Sequence, residues 1–106
     1  MEKTNATIAV CDDEQEIRNS IERNIRLLYE NADIIQFENG KALVEYGGSF
    51  DILFLDIQME GMSGMEAAKE LRRRGCRATV IFVPAIEEYV FEAFDVGAFH
   101  YIVKPF

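Results

Sequence analysis

Three short apolar runs in this chain of 106 residues each end abruptly at a charged residue. They are 7–11, followed by Asp12 and Asp13; 52–55, followed by Asp56; and 101–103, followed by Lys104. Apolar runs of this length, separated by helix-length segments, are typical of buried parallel strands. In an open parallel sheet, ligands bind at the carboxyl ends of the strands, where the strand order reverses. We therefore expect three carboxylates and one amine to meet at one rim of a sheet.

Strand and helix patterns alternate along the rest of the chain. The first predicted helix covers about 14–30, with Asp13 as its expected N-cap. Its apolar stripe consists of Ile17, Ile21, Ile25 and Leu28. Further strands are predicted at 34–37 and 80–83, and further helices at 42–46, 64–74 and 87–96. This alternation predicts a single α/β domain with a doubly wound parallel sheet.

The predicted helices are too few to cover both faces of such a sheet. With strand order 2-1-3-4-5 and right-handed crossovers, the first helix covers one face and the other three helices cover the opposite face. One helix cannot cover five strands, and a soluble monomer rarely leaves an apolar sheet face bare. We therefore expect a fifth helix after Phe106, or a partner or swapped element in its place.

The composition restricts the classes of function. With 49% hydrophobic and 28% charged residues, the chain is expected to form one globular domain. The formal net charge of −8 argues against direct nucleic-acid binding by this segment. Cys11 and Cys76 are too few for a disulfide framework and are expected to be reduced thiols. No apolar stretch is long enough to span a membrane, so we expect a cytoplasmic protein.

Each charged residue at the rim also has an ordinary structural interpretation. Asp12 can be a turn residue, Asp13 a helix cap, Asp56 a loop residue and Lys104 a solvated surface lysine. Their joint occurrence at strand ends favours a site instead. Carboxylates about 4 Å apart repel by roughly 4 kcal/mol per pair at an effective dielectric constant of about 20. Such a cluster requires a bound cation or a protonated member.

Three segments together resemble the receiver domain of bacterial two-component response regulators: Asp12-Asp13, 56–64 and 101–106. The residues around 81–83, 88–90 and 97–99 are most similar to receivers joined to a LytTR-type DNA-binding domain. The resemblance implies a flavodoxin-like, five-stranded parallel sheet of order 2-1-3-4-5, with the final helix absent from this chain. It also implies that residues 1–106 form the receiver and that an output domain, regulating transcription, follows it.

The resemblance assigns a role to each residue at the rim. Asp56 would accept a phosphoryl group from a phosphohistidine on a sensor histidine kinase. Asp13 and Asp56 would bind Mg²⁺ directly, Asp12 mainly through water, and Gln58 through its backbone carbonyl. Lys104 would pair with Asp56 and then with the phosphoryl oxygens. Such a protein is a phosphoacceptor with at most slow autodephosphorylation rather than an enzyme.

Two positions depart from the family pattern. Glu60 stands where the family usually has proline, and Pro84 stands where it places a threonine or serine that hydrogen-bonds the phosphoryl group. A hydrogen bond to a charged group contributes about 1.5–3 kcal/mol, so its loss weakens the switch. We expect Asp56 to remain phosphorylatable, while coupling to the switch aromatic Tyr101 is impaired.

Two other functions remain open from the sequence. Pro84 favours a pseudo-receiver that has lost phosphorylation control and acts as a dimerisation or docking module through the fourth helix and fifth strand. A haloacid-dehalogenase-like phosphatase also forms an aspartyl phosphate, but it needs a second aspartate where this chain has Gln58. The phosphoacceptor interpretation is the leading one.

Overall fold

A five-stranded parallel sheet forms the centre of the protein, for which a computed structural model describes residues 6–83 and 100–101. The strands are β1 (Thr7–Cys11), β2 (Asp33–Phe37), β3 (Ile52–Leu55), β4 (Thr79–Phe82) and β5 (His100–Tyr101). The helices within the described residues are α1 (Gln15–Leu28), α2 (Gly40–Glu45) and α3 (Gly64–Arg73). The strand order is β2-β1-β3-β4-β5, which confirms the predicted doubly wound α/β sheet. The helix predicted at 87–96 lies outside the described residues.

The register of the central strands brings the ends of β1 and β3 side by side. Cys11, the last residue of β1, pairs with Phe37 on one side and with Leu55 on the other. The ladder continues one step further, because the Asp56 amide donates to the Cys11 carbonyl at 2.9 Å. The Asp12 amide likewise donates to the Phe37 carbonyl at 3.2 Å. The first residues beyond both strands are therefore fixed by the sheet itself.

The face of the sheet covered by α2 and α3 is densely packed. Its buried strand residues are Ala9, Cys11, Leu53, Leu55, Val80 and Phe82, and its buried helix residues are Leu43, Val44, Met65, Ala67, Ala68 and Leu71. Alternate strand residues point to this face, as expected for side chains that alternate along a strand. Burial of this apolar surface holds β3 and α3 in place against β1. It thereby positions the residues at the carboxyl ends of β1 and β3.

The opposite face is covered by α1 and is packed less completely by the described residues. Ile21 and Ile25 are buried against Ile8 and Val10, whereas Ile52 and Phe54 of β3 are only partly buried. A groove of about 380 Å³ lies beside α1, with Ile25, Leu28, Ile52 and Phe54 among its lining residues. The predicted fifth helix stays a prediction.

The end of α1 differs from the sequence prediction. The helix ends at Leu28 rather than near Glu30, and the Leu28 side chain is 78% exposed. Leu28 lies on the same helical face as Ile21 and Ile25, but it borders the groove instead of packing against a strand. Leu28 thus belongs to the predicted apolar stripe but is not buried by the described residues. Within the described residues, no helix combines the length and apolar character needed to cross a membrane.

Candidate functional site

The carboxylates of Asp12, Asp13 and Asp56 converge at the carboxyl end of the sheet. One oxygen from each lies within 4.8 Å of the other two. Asp12 is fully buried and Asp56 is 4% exposed, whereas Asp13 is exposed to solvent. We call these three residues the acidic site. Its geometry follows from the pairing of β1 with β3, which places the two strand ends next to each other.

The turn after β1 explains why Asp13 faces the acidic site instead of capping α1. Asp12 Oδ1 accepts a hydrogen bond from the Glu14 amide at 2.9 Å, a side-chain turn that spans two residues. The helix consequently begins one residue later than predicted, with Glu14 at the N-cap position and no side-chain capping bond. The prediction that Asp13 is the N-cap was wrong.

The loop after β3 is held against the first turn of α3 by a glycine. The Gly64 amide donates to the Ile57 carbonyl at 2.7 Å. A Cβ atom at Gly64 would lie 2.0 Å from the Asp56 carbonyl oxygen and 2.8 Å from the Ile57 Cα. Only glycine fits so close to another backbone segment. Gly64 thus permits the approach of α3 that holds the backbone of Asp56 in place.

A capping box starts α3 directly beside this loop. The Ser63 hydroxyl accepts from the Glu66 amide at 3.1 Å, and the Glu66 carboxylate accepts from the Ser63 amide at 2.9 Å. The apolar pattern predicted the helix at 64–74 but did not identify this pair. The spacing of a serine three residues before a glutamate was the signal that would have found it.

The environment of Cys11 reports the negative charge around the acidic site. Burial, reinforced by the charges of Asp12 and Asp56, raises the pKa of the Cys11 thiol to about 12. The Cys11 sulfur lies 3.5 Å from the Asn39 carbonyl oxygen and 3.8 Å from the Met59 sulfur. A thiol with so high a pKa is protonated at neutral pH, so Cys11 is part of the core rather than a nucleophile.

The chemistry of the donor set fits Mg²⁺. Mg²⁺ takes oxygen ligands at about 2.0–2.1 Å in an octahedron, so its ligand oxygens lie roughly 3–4 Å apart. The carboxylate oxygens of the acidic site, within 4.8 Å of one another, are close to that spacing. A hard divalent cation also offsets the mutual repulsion of the three carboxylates. The acidic site therefore has the ligand type that Mg²⁺ prefers, with carboxylates close enough together to share one cation.

A cleft of about 510 Å³ opens beside the acidic site toward solvent. It is lined by Asp13, Ile57, Gln58, Met59, Glu60, Ser63 and Met65. Gln58, a predicted metal ligand through its backbone carbonyl, and Glu60, which stands where the family usually has proline, are both exposed. An incoming group can therefore reach the acidic site from this side.

The remaining predicted site residues are described only in part. Tyr101 lies in β5, where its backbone pairs with Phe82 of β4. Pro84 and Lys104 lie outside the described residues.

A family model for the response regulator receiver domain matches residues 8–106 of the chain. The chain belongs to this family. The receiver is 34% identical to the transcriptional regulatory protein ResD of Bacillus subtilis, covering 100% of this chain and 45% of ResD. It is also 34% identical to the sensory transduction protein LytT of Oceanobacillus iheyensis, covering 93% of this chain and 42% of LytT. The receiver thus spans less than half the length of these curated relatives.

Solved receiver structures share the fold. The response regulator TrrA of Thermotoga maritima, crystallised in complex with Mg²⁺ and beryllium fluoride, is 32% identical to this receiver. The two superpose with a TM-score of 0.83, covering 95% of this chain and 88% of TrrA. The doubly wound sheet described above is therefore the receiver fold.

Proposed function

We propose that this receiver is a phosphorylation-dependent signalling domain in which Asp56 accepts a phosphoryl group from a sensor histidine kinase. The convergence of three carboxylates within 4.8 Å at the end of the sheet supports this proposal most directly. Membership of the response regulator receiver family supports it independently. Phosphoryl transfer depends on positioning and charge neutralisation more than on covalent help from the protein, and the acidic site is arranged for both.

The acidic site is proposed to hold Mg²⁺. Asp13 and Asp56 would bind the ion directly, Asp12 mainly through water, and the Gln58 backbone carbonyl would supply a neutral oxygen. When bound, the ion neutralises negative charge on the carboxylates and on the phosphoryl group. The complex of TrrA with Mg²⁺ and beryllium fluoride supports this assignment, because beryllium fluoride resembles a phosphoryl group.

The chain's own residues carry the transfer. A carboxylate oxygen of Asp56 forms the new bond to phosphorus, while the bond from phosphorus to the kinase imidazole breaks and the electron pair stays on the imidazole nitrogen. Asp56 is held for this attack by the hydrogen bond that its backbone amide donates to the Cys11 carbonyl and by the close approach of Gly64. Lys104 is proposed to pair with the phosphoryl oxygens as a point charge.

The proposed partners are a sensor histidine kinase and a C-terminal output domain. LytT and ResD are each more than twice as long as the stretch they share with this receiver, and ResD is a transcriptional regulator. We therefore propose that the receiver controls transcription through an output domain, of LytTR type, in the cytoplasm. The free thiols of Cys11 and Cys76 are consistent with that reducing compartment. A dimer through the fourth helix and β5 would be one way to transmit the signal.

Phosphorylation is proposed to be intact while its coupling to the rest of the domain is weakened. Pro84 has no hydroxyl group to bond the phosphoryl oxygens, so Tyr101 would respond less to the phosphorylated state. The alternative is a docking module that is no longer phosphorylated.

Phosphorylation by a small-molecule donor tests the proposal directly. The protein is incubated with acetyl phosphate and MgCl₂, and its intact mass is measured with and without EDTA. We expect one added phosphoryl group, lost in Asp56→Asn and retained in the matched control Asp51→Asn. Asp51 is an exposed aspartate just before the opposite end of β3, where it accepts from the Thr7 amide.

The same samples separate the two functions. Addition of one phosphoryl group to Asp56, with little change in the NMR signals of residues 84–103, supports a phosphoacceptor with weakened coupling. A full set of shifts in that segment contradicts the proposed effect of Pro84. No phosphorylation of the wild-type protein contradicts the phosphoacceptor proposal and favours the docking module.

A further inference from the structure

A hydrogen-bond network connects the acidic site to α1 and to the edge strand β2. Its centre is Arg18, on the first turns of α1. One guanidinium nitrogen of Arg18, Nη1, donates to the Asp12 backbone carbonyl at 2.7 Å, and Nε donates to Gln36 Oε1 at 3.0 Å. Both bonds leave the helix and reach the sheet. None of these contacts belongs to the carboxylates that form the acidic site.

Gln36, the second hydrogen-bond partner of Arg18, is itself held by residues of α1. Gln36 Nε2 donates to Glu22 Oε1 at 2.8 Å and to Asn19 Oδ1 at 3.2 Å, both on α1. Gln36 lies in β2 opposite Val10 of β1, so its backbone position is fixed by the sheet. The Arg18 guanidinium is therefore held between two fixed points rather than extended into solvent.

We propose that Arg18 is a positioning residue for the cation site, an inference that rests on the Mg²⁺ binding proposed above. The Asp12 carbonyl belongs to the peptide unit that joins Asp12 to Asp13. A planar peptide whose oxygen is held is restrained in its orientation, and this peptide positions the Asp13 Cα, from which the side chain leaves the backbone. Arg18 thus restrains the backbone of Asp13, the exposed member of the acidic site, through the Asp12 carbonyl.

Asp13 requires this backbone restraint because it is the exposed residue of the acidic site. The Asp12 carboxylate is held by the Glu14 amide, and Asp56 is buried beneath α3. Asp13 is in solvent, and it follows a strand that has already ended. The turn from Asp12 to Glu14 spans Asp13, and the Arg18 bond to the Asp12 carbonyl adds a second restraint on the peptide before it. Mg²⁺ requires near-ideal octahedral geometry, so a ligand that loses one of these restraints binds it less well.

The guanidinium suits this task better than an ammonium group. Arginine presents several donors in one rigid plane, so a single side chain can bond the carbonyl and Gln36 at the same time. Lysine would keep the positive charge, but its compact ammonium group would not make the two hydrogen bonds to the Asp12 carbonyl and to Gln36 at the same time. The geometry and the charge of Arg18 can therefore be separated by substitution.

The structural alternative is that Arg18 only fastens α1 to the sheet. The two roles predict different results with different cations. Ca²⁺ tolerates irregular coordination, whereas Mg²⁺ does not, so a misdirected Asp13 weakens Mg²⁺ binding more than Ca²⁺ binding. A general loss of stability lowers the two affinities in the same proportion. The ratio of the two dissociation constants is therefore the informative quantity.

The experiment is isothermal titration of the protein with MgCl₂ and, separately, with CaCl₂. Arg18→Met is compared with Arg23→Met, which removes the same charge from an exposed position on the same helix. Loss of a group that orients a metal ligand costs about 10–100-fold in affinity, and we expect about tenfold for Mg²⁺ in Arg18→Met. The Ca²⁺ affinity should fall by less, and Arg23→Met should resemble the wild type for both ions.

Two further variants keep the result interpretable. Arg18→Lys retains the charge, and we expect it to lose Mg²⁺ affinity as well, because an ammonium group cannot make both hydrogen bonds of the guanidinium. Gln36→Leu leaves the bond to Asp12 possible but removes its anchor, so its loss should fall between the wild type and Arg18→Met.

Three outcomes would overturn the inference: equal Mg²⁺ affinities in Arg18→Met and Arg23→Met, parallel losses for both cations, or wild-type affinity in Arg18→Lys. A wild-type protein that binds no Mg²⁺ contradicts the proposed function instead.

Discussion

The helices α1 and α3 both begin beside the acidic site, but their first turns are built differently. The start of α3 carries a reciprocal capping box between Ser63 and Glu66. The start of α1 has Glu14 at its N-cap, and the Glu14 side chain makes no capping bond. Aspartate is among the best N-cap residues, and one stands immediately before Glu14. That aspartate, Asp13, belongs to the acidic site instead.

The polar residues at the start of α3 stabilise the helix, whereas those before α1 form the acidic site. At α3, polar side chains satisfy the helix end and hold the loop that follows β3. At α1, the preceding acidic residues are directed at one another, which is unfavourable without a cation. Local capping preferences therefore predict the start of α3 and fail at the start of α1. Such local failures are expected at functional sites.

Substitution of Gly64 should produce the largest loss of stability. In Gly64→Ala the new methyl group would meet the Asp56 carbonyl oxygen at 2.0 Å, so the backbone of either α3 or β3 must shift. We expect the free energy of unfolding to fall by about 3 kcal/mol, the upper part of the range for overpacking. Urea denaturation followed by circular dichroism measures this change.

Gly40 provides the matched control for Gly64, because it is also the first residue of a helix. In Gly40→Ala the closest atoms are the Cβ, the Cγ and the backbone carbonyl oxygen of Met62, each at 3.2 Å, so a shift of a few tenths of an ångström relieves the contact. The loss should be clearly smaller than in Gly64→Ala. Equal losses in the two variants would contradict the idea that the contact with Asp56 is special.

Asp13→Asn should have opposite effects on stability with and without Mg²⁺. In EDTA the variant should be slightly more stable than the wild type, by about 1 kcal/mol or less, because one carboxylate no longer repels the other two. In excess MgCl₂ the order should reverse, since a ligand that binds only the folded state stabilises it and the variant binds it poorly. Thermal unfolding in both buffers measures the effect.

The control for Asp13→Asn is Asp33→Asn, an exposed aspartate at the start of β2. It should respond to MgCl₂ as the wild type does. A Mg²⁺-dependent stabilisation that survives unchanged in Asp13→Asn would exclude Asp13 as a ligand.

The difference in capping can be measured by removing the cap from α3 and adding one to α1. Ser63→Ala removes the side-chain bond to the Glu66 amide and should cost about 1 kcal/mol. Glu14→Ser adds a capping side chain at α1 and should stabilise by about 0.5–1 kcal/mol. Both changes are read from urea denaturation in EDTA, and neither should alter the Mg²⁺ dissociation constant by more than about twofold. A tenfold change in Ser63→Ala would mean that this cap is part of the site.

The end of α3 supplies the smallest predicted effect. Hydrogen bonds from Arg73 and Arg74 hold the pKa of Glu70 down at about 2, against an ordinary value of 4.5. Because the folded-state pKa is depressed, this contribution to stability is complete above pH 4.5 and is lost as the pH falls toward 2. Glu70 is at the surface, so the effect is reduced by solvent screening.

The comparison of Glu70→Gln with the wild type tests this dependence. The variant should lose less stability than the wild type between pH 4.5 and pH 3, with Glu16→Gln on α1 as the control. Identical pH profiles for wild type and Glu70→Gln would show that these surface pairs contribute nothing measurable.

Much of the fold was predictable because it depends on patterns that repeat over several residues. The apolar runs at β1 and β3 identified the buried central strands, and the residue after each run identified the rim. The start of α1 was not predictable in this way, since the bond from the Glu14 amide selects Asp12 over Asp13. The contact of Arg18 with the Asp12 carbonyl joins residues from a helix and a strand end, so it requires the packed structure.

The most direct test of the account is the binding of beryllium fluoride by ¹⁹F NMR. The protein is titrated with beryllium fluoride in MgCl₂ and again in EDTA, alongside Asp56→Asn and the control Asp51→Asn. Asp56, with Mg²⁺ in the acidic site, should give a bound fluoride resonance in the wild type and in Asp51→Asn. The resonance should be absent from Asp56→Asn and from the EDTA sample. A wild-type protein with no bound resonance, or an Asp56→Asn variant that keeps one, would contradict the account.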